Sequence, residues 1–432
     1  MDTPASATAT AARRPRRGGF PAWIDALAFP VLVFGLVGSV LIVVVWASVR
    51  FLGIQALYQP VLSFPGGSVL GGWVRYDGGW YNSIAREPKW YFYRPGQQSS
   101  VAFFPAYPAA MRLIGGTSPW HLFAGIAITA ASGLGSAVLF YNWCRARLHE
   151  PEARLSVLVL LLGPYSYYLY GAVYADAFFL FFTLLAFTLV ERDRPILAGL
   201  AAAVATASRP IGVAVMAALV LRVMERRRAM AIPAVDQRPP EGGLLRGGTA
   251  QVLASLRPEL KVGRLRPGDA GVLLAGLGLG LWCLFLWAAF GDPFAFATVQ
   301  GAKGWDQESS PRVWFKVNFF AHVLLWPRPR YDIGLWCQGI LVLGAILLIP
   351  RVIRSFGWGY GAYVAGAVLV PIIGSKDMQG TGRYLLAAFP AFAAFGQLLR
   401  EKPARTRRVW FAVSTTLMLI WCSLYARGYY VA

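Results

Sequence analysis

Apolar stretches of 17–25 residues recur along this 432-residue chain from about residue 26 to residue 426. Each is long enough, as a helix, to cross the roughly 30 Å hydrocarbon core of a bilayer. Hydrocarbon leaves no solvent for an unpaired backbone N–H or C=O, so such stretches must be helices or close into barrels. Runs this long and continuous fit helices. Only 14% of residues are charged, against about 25% in soluble domains, and mean hydropathy is +0.51. A soluble fold is excluded. The chain is predicted to be an all-α polytopic membrane protein.

Eleven spans are predicted, near 26–50, 118–143, 153–170, 173–191, 194–207, 210–224, 269–290, 333–350, 357–374, 383–399 and 407–426. They divide into an N-terminal half (26–224) and a C-terminal half (269–432). Residues 1–25 are expected to form a disordered basic cytoplasmic tail. Residues 225–268, with Pro239-Pro240 and many basic residues, read as a basic cytoplasmic linker. Two long loops, 51–117 and 291–332, carry short aromatic segments (Val101–Leu113 and Val313–Leu325) that suit interfacial helices.

The net charge of +21 is placed asymmetrically. With the N-terminus inside, 26 of the 41 Lys and Arg fall in cytoplasmic segments and 15 outside, mostly in the two long loops. That bias sets orientation in membrane proteins and removes nucleic acid as an expected partner. The four cysteines are scattered, and the three histidines have no metal-ligand spacing. Disulfide and zinc frameworks gain no support.

Polar residues at span ends or membrane depth demand a reason, and here they fall on the outer side. Asp77 follows Arg75 and precedes Gly78-Gly79, among the aromatics Trp73, Trp80, Tyr81, Trp90, Tyr91 and Tyr93. Those rings could hold sugars or form a plain interfacial belt. Asp176 starts a span and could be an N-cap or part of a site. Arg209, between two short helices, could snorkel to headgroups or bind a ligand. Asp292, before Pro293, suits a turn. Gln300, Lys376, Asp377 and Arg383 complete the outer polar set.

These residues carry a resemblance. The stretch from Arg75-Tyr76-Asp77 through Trp80-Tyr81-Asn82-Ser83-Ile84-Ala85 to Phe103-Phe104-Pro105-Ala106-Tyr107-Pro108 resembles the first-loop signature of the PIG-V-like mannosyltransferases. That family includes the eukaryotic transferase of the second GPI mannose and many bacterial homologues. Further segments follow in the family's order: Gly163-Pro164-Tyr165 to Tyr174-Ala175-Asp176, Ala205 to Gly212, Gly291 to Phe296, and Gly382-Arg383-Tyr384-Leu385 with Phe389-Pro390. The sequence departs from the usual pattern at Tyr76, where the family often has Trp, and at Asp176, where it often has Glu. The Ala- and Arg-rich composition suits a high-GC bacterium, so the expected location is the bacterial plasma membrane.

The resemblance implies a GT-C-type fold and an extracytoplasmic active site in loop 51–117. It implies an integral-membrane glycosyltransferase, a mannosyltransferase, that moves a sugar from polyprenyl-phosphate-mannose by an inverting mechanism. The acceptor is an extracytoplasmic glycan, glycolipid or protein, and membrane lipids are the other partners. Asp77 would be the catalytic base; Arg383, Arg209 and Lys376 would bind donor phosphate. Arg75, Trp80, Tyr81, Asp176 and Gln300 would bind sugar or acceptor, with Arg75 facing Asp77 as its opposite charge. A monophosphate leaving group requires no metal, and the outer loops hold no Asp-x-Asp pair. Neither a metal nor a cofactor is expected. Nucleotide sugars are cytoplasmic, and the inner loops contain no GxxxxGK[ST] phosphate loop. Two rival functions remain, a transporter or flippase of a lipid-linked glycan and a non-catalytic scaffold of the same fold. The placement of polar residues at the outer ends rather than at mid-membrane favours the enzyme over the transporter.

Overall fold

The computed structural model describes residues 22–55, 68–87, 91–116, 120–231, 259–307, 310–325 and 329–431. The expected tail (1–25) and linker (225–268) lie largely outside these residues. Each predicted span falls on a helix: α1 (Ala22–Ala47), then, after α2 (Asp77–Arg86) and α3 (Ala106–Gly115) in the first long loop, α4 (Trp120–Arg145), α5 (Glu150–Leu161), α6 (Asp176–Glu191), α7 (Pro195–Thr206) and α8 (Gly212–Arg226). The C-terminal half supplies α9 (Gly276–Phe290), which continues a 3-10 segment Pro267–Ala275, then α10 (Pro329–Phe356), α11 (Trp358–Gly374), α12 (Phe389–Arg400) and α13 (Ala404–Ala426). The chain is an integral membrane protein built almost wholly of helices. The only described strands form a two-residue antiparallel clip, Met230–Ala231 with Glu259–Leu260.

α5 and α12 are shorter than the expected spans 153–170 and 383–399, whereas α7 keeps the short length expected for 194–207. Five described helical stretches are long and apolar enough to cross a membrane: Leu27–Leu52, Trp120–Arg145, Pro267–Phe290, Ile333–Phe356 and Ala404–Ala426. α5, α7 and α12 have 12 residues each, about 18 Å at 1.5 Å per residue. Proline sets these limits. Gly163-Pro164 follows the end of α5, Arg209-Pro210 separates α7 from α8, and Pro390 opens α12. The intervening backbone, 163–175, 207–211 and 375–388, is non-helical or only briefly helical, yet mostly buried. Irregular backbone at membrane depth is tolerated where protein encloses it. All three segments lie at one end of the bundle.

One buried apolar cluster runs from Phe34 in α1 to Ala426 in α13 and draws on both predicted halves. The helices close on it through small residues. A Cβ on Gly199 of α7 would overlap the Gly271 carbonyl, so α7 lies directly against the 267–275 segment. The expected interfacial segment Val101–Leu113 becomes a 3-10 turn, Ser100–Ala102, followed by α3. α3 leaves Leu113 and Ile114 exposed while burying Tyr107 and Met111, the pattern of a helix lying on an apolar boundary. Val313–Leu325 forms short turns instead, Pro311–Trp314, Val317–Phe320 and Ala321–Leu325.

Ionic contacts tie the helices together at the other end of the bundle. Glu191, at the end of α6, meets Arg147 at 3.1 Å, Arg222 at 2.7 Å and Arg226 at 2.8 Å. Tyr360 of α11 donates to the same carboxylate at 2.9 Å and accepts from the Trp143 indole at 2.8 Å. The polar chemistry is thus split between two ends, with a hydrocarbon-compatible layer between them.

Candidate active site

Tyr76 sets the geometry of the site. It has φ = +50°, a conformation that side-chain-bearing residues seldom adopt. Its ring meets Tyr430 edge-on at 4.8 Å, and its hydroxyl donates to the Gly428 carbonyl. That turn delivers Asp77 as the first residue of α2, where its backbone N–H donates to the Tyr174 hydroxyl at 3.2 Å. Gly78 packs against the Val173 carbonyl, where a Cβ would sit 3.2 Å away. The absence of a side chain at Gly78 lets α2 dock on the 163–175 segment.

Two ion pairs share one aromatic ring. Arg383 meets Asp77 at 2.8 Å, and Arg209 is paired with Asp176. The Arg383 guanidinium lies 4.8 Å from the Tyr174 ring and 5.0 Å from the Tyr384 ring; Arg209 lies 4.3 Å from the same Tyr384 ring. Four of the residues singled out in sequence, Asp77, Asp176, Arg209 and Arg383, are therefore brought together. Their accessibility separates them: the Asp77 side chain is 23% exposed and that of Asp176 only 2%. Asp77 is the acid a ligand can reach. Arg209 is buried against Asp176, which removes headgroup snorkelling as its explanation.

Asp77 opens onto a cleft of about 520 Å3. Tyr76, Trp80, Trp305 and Tyr430 supply aromatic surfaces, and Gln55, Gln98, Gln307 and Gln379 supply amides. Trp80 stacks on Phe103 at 5.5 Å and approaches Trp305 at 6.0 Å. Lys376 also lines the cleft and pairs with Asp306 at 3.2 Å. Asp377 is buried at the wall, its carboxylate accepting from the Gln379 N–H at 3.2 Å.

Four residues expected to bind sugar or acceptor do not line the cleft: Asp176, buried against Arg209, and three that sit elsewhere. Arg75 donates through Nε and Nη2 to the Ala426 carbonyl, at 2.9 and 2.7 Å, fastening the loop to the end of α13. The cation at Asp77 is Arg383. Tyr81 points away from the cleft into an aromatic cluster, edge-on to Phe103, Tyr107 and Tyr174. Burial pushes its phenol well above the ordinary range, against the opposing charge of Arg209. Gln300 is not among the lining residues; its carbonyl accepts from the Gln307 N–H at 2.9 Å, so it supports a residue that is. Asp292 caps its own turn, accepting from Phe294 N–H at 2.8 Å and Thr298 hydroxyl at 3.1 Å. Of the aromatics expected beside Asp77, Trp73 is buried and Tyr91 packs on Trp282 at 4.7 Å. Trp90 lies outside the described residues.

A second, apolar cavity of about 240 Å3 begins one residue from Arg383. Its walls come from α5, α10 and α12 and from Gly382, Leu385, Leu386 and Ala388. Gly382 is required there, because a Cβ would overlap the Tyr165 ring. Lys316 braces the same region from the second long loop, donating to Val313 O at 3.0 Å and to the Ser375 carbonyl. Burial lowers its amine to about 8, against the opposing charge of Asp377.

Among the described residues, no group of three or more His, Cys, Asp or Glu could hold a metal ion. The site pairs one reachable acid at a polar cleft with one buried cation, Arg383, whose chain neighbours Gly382 and Leu385 line the apolar cavity.

No protein-family model matches the sequence, and no curated protein matches it. Solved structures of the oligosaccharyltransferase of Archaeoglobus fulgidus align over most of it. The apo form gives a TM-score of 0.43 at 12% identity, covering 95% of this chain and 57% of that one. A complex with Zn and sulfate gives 0.38 at 15%, covering 92% and 53%. The protein named AglB, in complex with an inhibitory peptide and a dolichol-phosphate, gives 0.38 at 14%, covering 95% and 57%. The chain thus spans little more than half the length of these archaeal proteins. A likeness this distant assigns neither a fold family nor an activity.

Proposed function

We propose that the chain is a membrane glycosyltransferase of GT-C type that moves a sugar from polyprenyl phosphate to an acceptor hydroxyl. The sugar, by the family resemblance, is mannose. One observation carries this: Arg383 faces Asp77 at the polar cleft while its neighbours Gly382 and Leu385 line the apolar groove. A lipid-linked sugar phosphate needs that sequence of environments. Its tail would lie in the groove, its phosphate beside Arg383 and its sugar in the cleft.

The chemistry asks little more of the protein. Asp77 takes the proton of the acceptor hydroxyl as that oxygen bonds to the sugar C1. The bond from C1 to phosphate oxygen breaks, and its electron pair leaves with polyprenyl phosphate. Attack opposite the leaving group inverts C1. Arg383 offers the departing phosphate a planar, two-pronged donor. Arg209, held by Asp176 across the Tyr384 ring, adds positive charge to the same side, and Lys376 adds more at the cleft. Trp80 and Trp305 offer flat apolar faces to sugar rings. The proposed catalytic face is extracytoplasmic, a placement that the distribution of basic residues supports.

The test is transfer of radiolabelled mannose from polyprenyl-phosphate-mannose to a panel of acceptor lipids and peptides, in membranes with and without the chain. Chain-dependent transfer is expected from the lipid donor and none from GDP-mannose. Transfer from GDP-mannose with polyprenyl-phosphate synthesis blocked would overturn the donor assignment.

A further inference from the structure

At the end of the bundle opposite the cleft, three segments converge: the α6–α7 turn, the end of α8 and residues 261–269. Arg227 draws them together, meeting Asp193 at 2.5 Å and Asp269 at 2.8 Å. Arg266 reaches Asp193 at 3.4 Å, Arg264 donates to the Arg228 carbonyl at 3.1 Å, and the Lys261 N–H donates to the Ala229 carbonyl at 2.7 Å. Both aspartates of the cluster are thereby engaged by Arg227, while Arg192, Arg194, Arg228 and Arg264 are exposed. The cluster presents cationic side chains in excess.

The surface immediately below it is apolar. On α7, Ile196 is 53% and Leu197 51% exposed, and Leu273 of the adjoining segment is 64% exposed. The two elements that carry these side chains are in direct backbone contact at Gly199 and Gly271. These exposed side chains, carried by two elements packed together, form an apolar seam beside the arginine cluster.

We infer that this seam is a binding site for an anionic diacyl phospholipid. Its phosphate would sit among Arg192, Arg194 and Arg264, and its acyl chains would lie along Ile196, Leu197 and Leu273. Basic pockets at the ends of spans hold anionic headgroups in this manner, and arginine gives phosphate a two-pronged contact. The exposed apolar side chains distinguish a lipid from a soluble phosphate, which would use only the charges. The site lies at the other end of the bundle from Asp77 and is independent of the proposed reaction.

Native mass spectrometry of the purified full chain tests this, with phosphatidylglycerol and phosphatidylcholine of the same acyl composition added at equal concentration. The wild type should retain phosphatidylglycerol at least tenfold better. Combined Arg192→Gln, Arg194→Gln and Arg264→Gln should bring the ratio within twofold, whereas Lys at the same three positions should keep most of it. A control set, Arg400→Gln, Arg405→Gln and Arg408→Gln, changes exposed arginines outside the seam and should leave the ratio unchanged. No preference in the wild type, or equal loss in the control set, would overturn the site. So would displacement of the lipid by glycerol 3-phosphate, which would point to a soluble phosphate.

Discussion

Arg383 pairs with Asp77 and adjoins Gly382 of the apolar cavity, and on the proposed reaction its loss should be felt through the donor. In the proposed reaction Arg383→Ala removes a charge-assisted phosphate contact worth about 1.5–3 kcal/mol, so donor KM should rise roughly tenfold or more while acceptor KM changes little. Steady-state kinetics with each substrate varied in turn would check this. Lys316 makes a separate prediction through pH. Its amine is lowered from 10.5 to about 8 by burial, so the folded chain releases this proton before the unfolded chain does. The resulting penalty is full below pH 8 and disappears as pH rises toward 10.5. Relative to Lys316→Met, wild-type stability should therefore increase by about 2 kcal/mol between pH 7.5 and 10. Unfolding of the two proteins in detergent across that range would measure it. Asp77 and Arg383 were visible in sequence because costly polar residues stand out against apolar surroundings. The partner of Arg75 was not visible, since a backbone carbonyl 351 positions away leaves no mark on local sequence.

At the scale of elements, the short helices matter more than the long ones. α5, α7 and α12 end within the bundle, and the buried turns beyond them position Asp176, Arg209 and Arg383. Their apolar runs were legible, as were the prolines that interrupt them, so each predicted span coincides with a helix. The short length of α7 was legible too, but those of α5 and α12 were not, because an apolar run continues through buried 3-10 turns such as Ser166–Leu169 without any change in composition. Gly382 is the tightest point of this layer, sitting on the Tyr165 ring. Gly382→Ala should cost about 1–3 kcal/mol through overpacking and shift the adjacent Arg383. The expected signature is a lowered Tm together with a raised donor KM. A variant with either change alone would show that packing and donor binding are not linked there.

The whole molecule separates a polar cleft at one end from clusters of basic residues at the other, and the proposed reaction puts the cleft outside. Gln97 is exposed near it. Gln97→Cys, made with Cys283 and Cys337 changed to Ala, should react with an impermeant thiol reagent on intact cells. Reaction only after lysis would reverse the orientation and remove the case for a lipid-linked donor. The cleft's full outline was not legible in the sequence: Trp305, Gln307 and Tyr430 come from distant segments and share no motif with Asp77. The acid at its centre was legible, and the proposed reaction depends on it. The decisive measurement is single-turnover mannose transfer by Asp77→Asn, with donor binding and folding checked on the same preparation. Asn preserves size but cannot take the acceptor proton, so the rate should fall by about 10²–10⁴ while donor binding persists. A rate within about threefold of wild type in a folded, donor-binding protein would contradict Asp77 as the base.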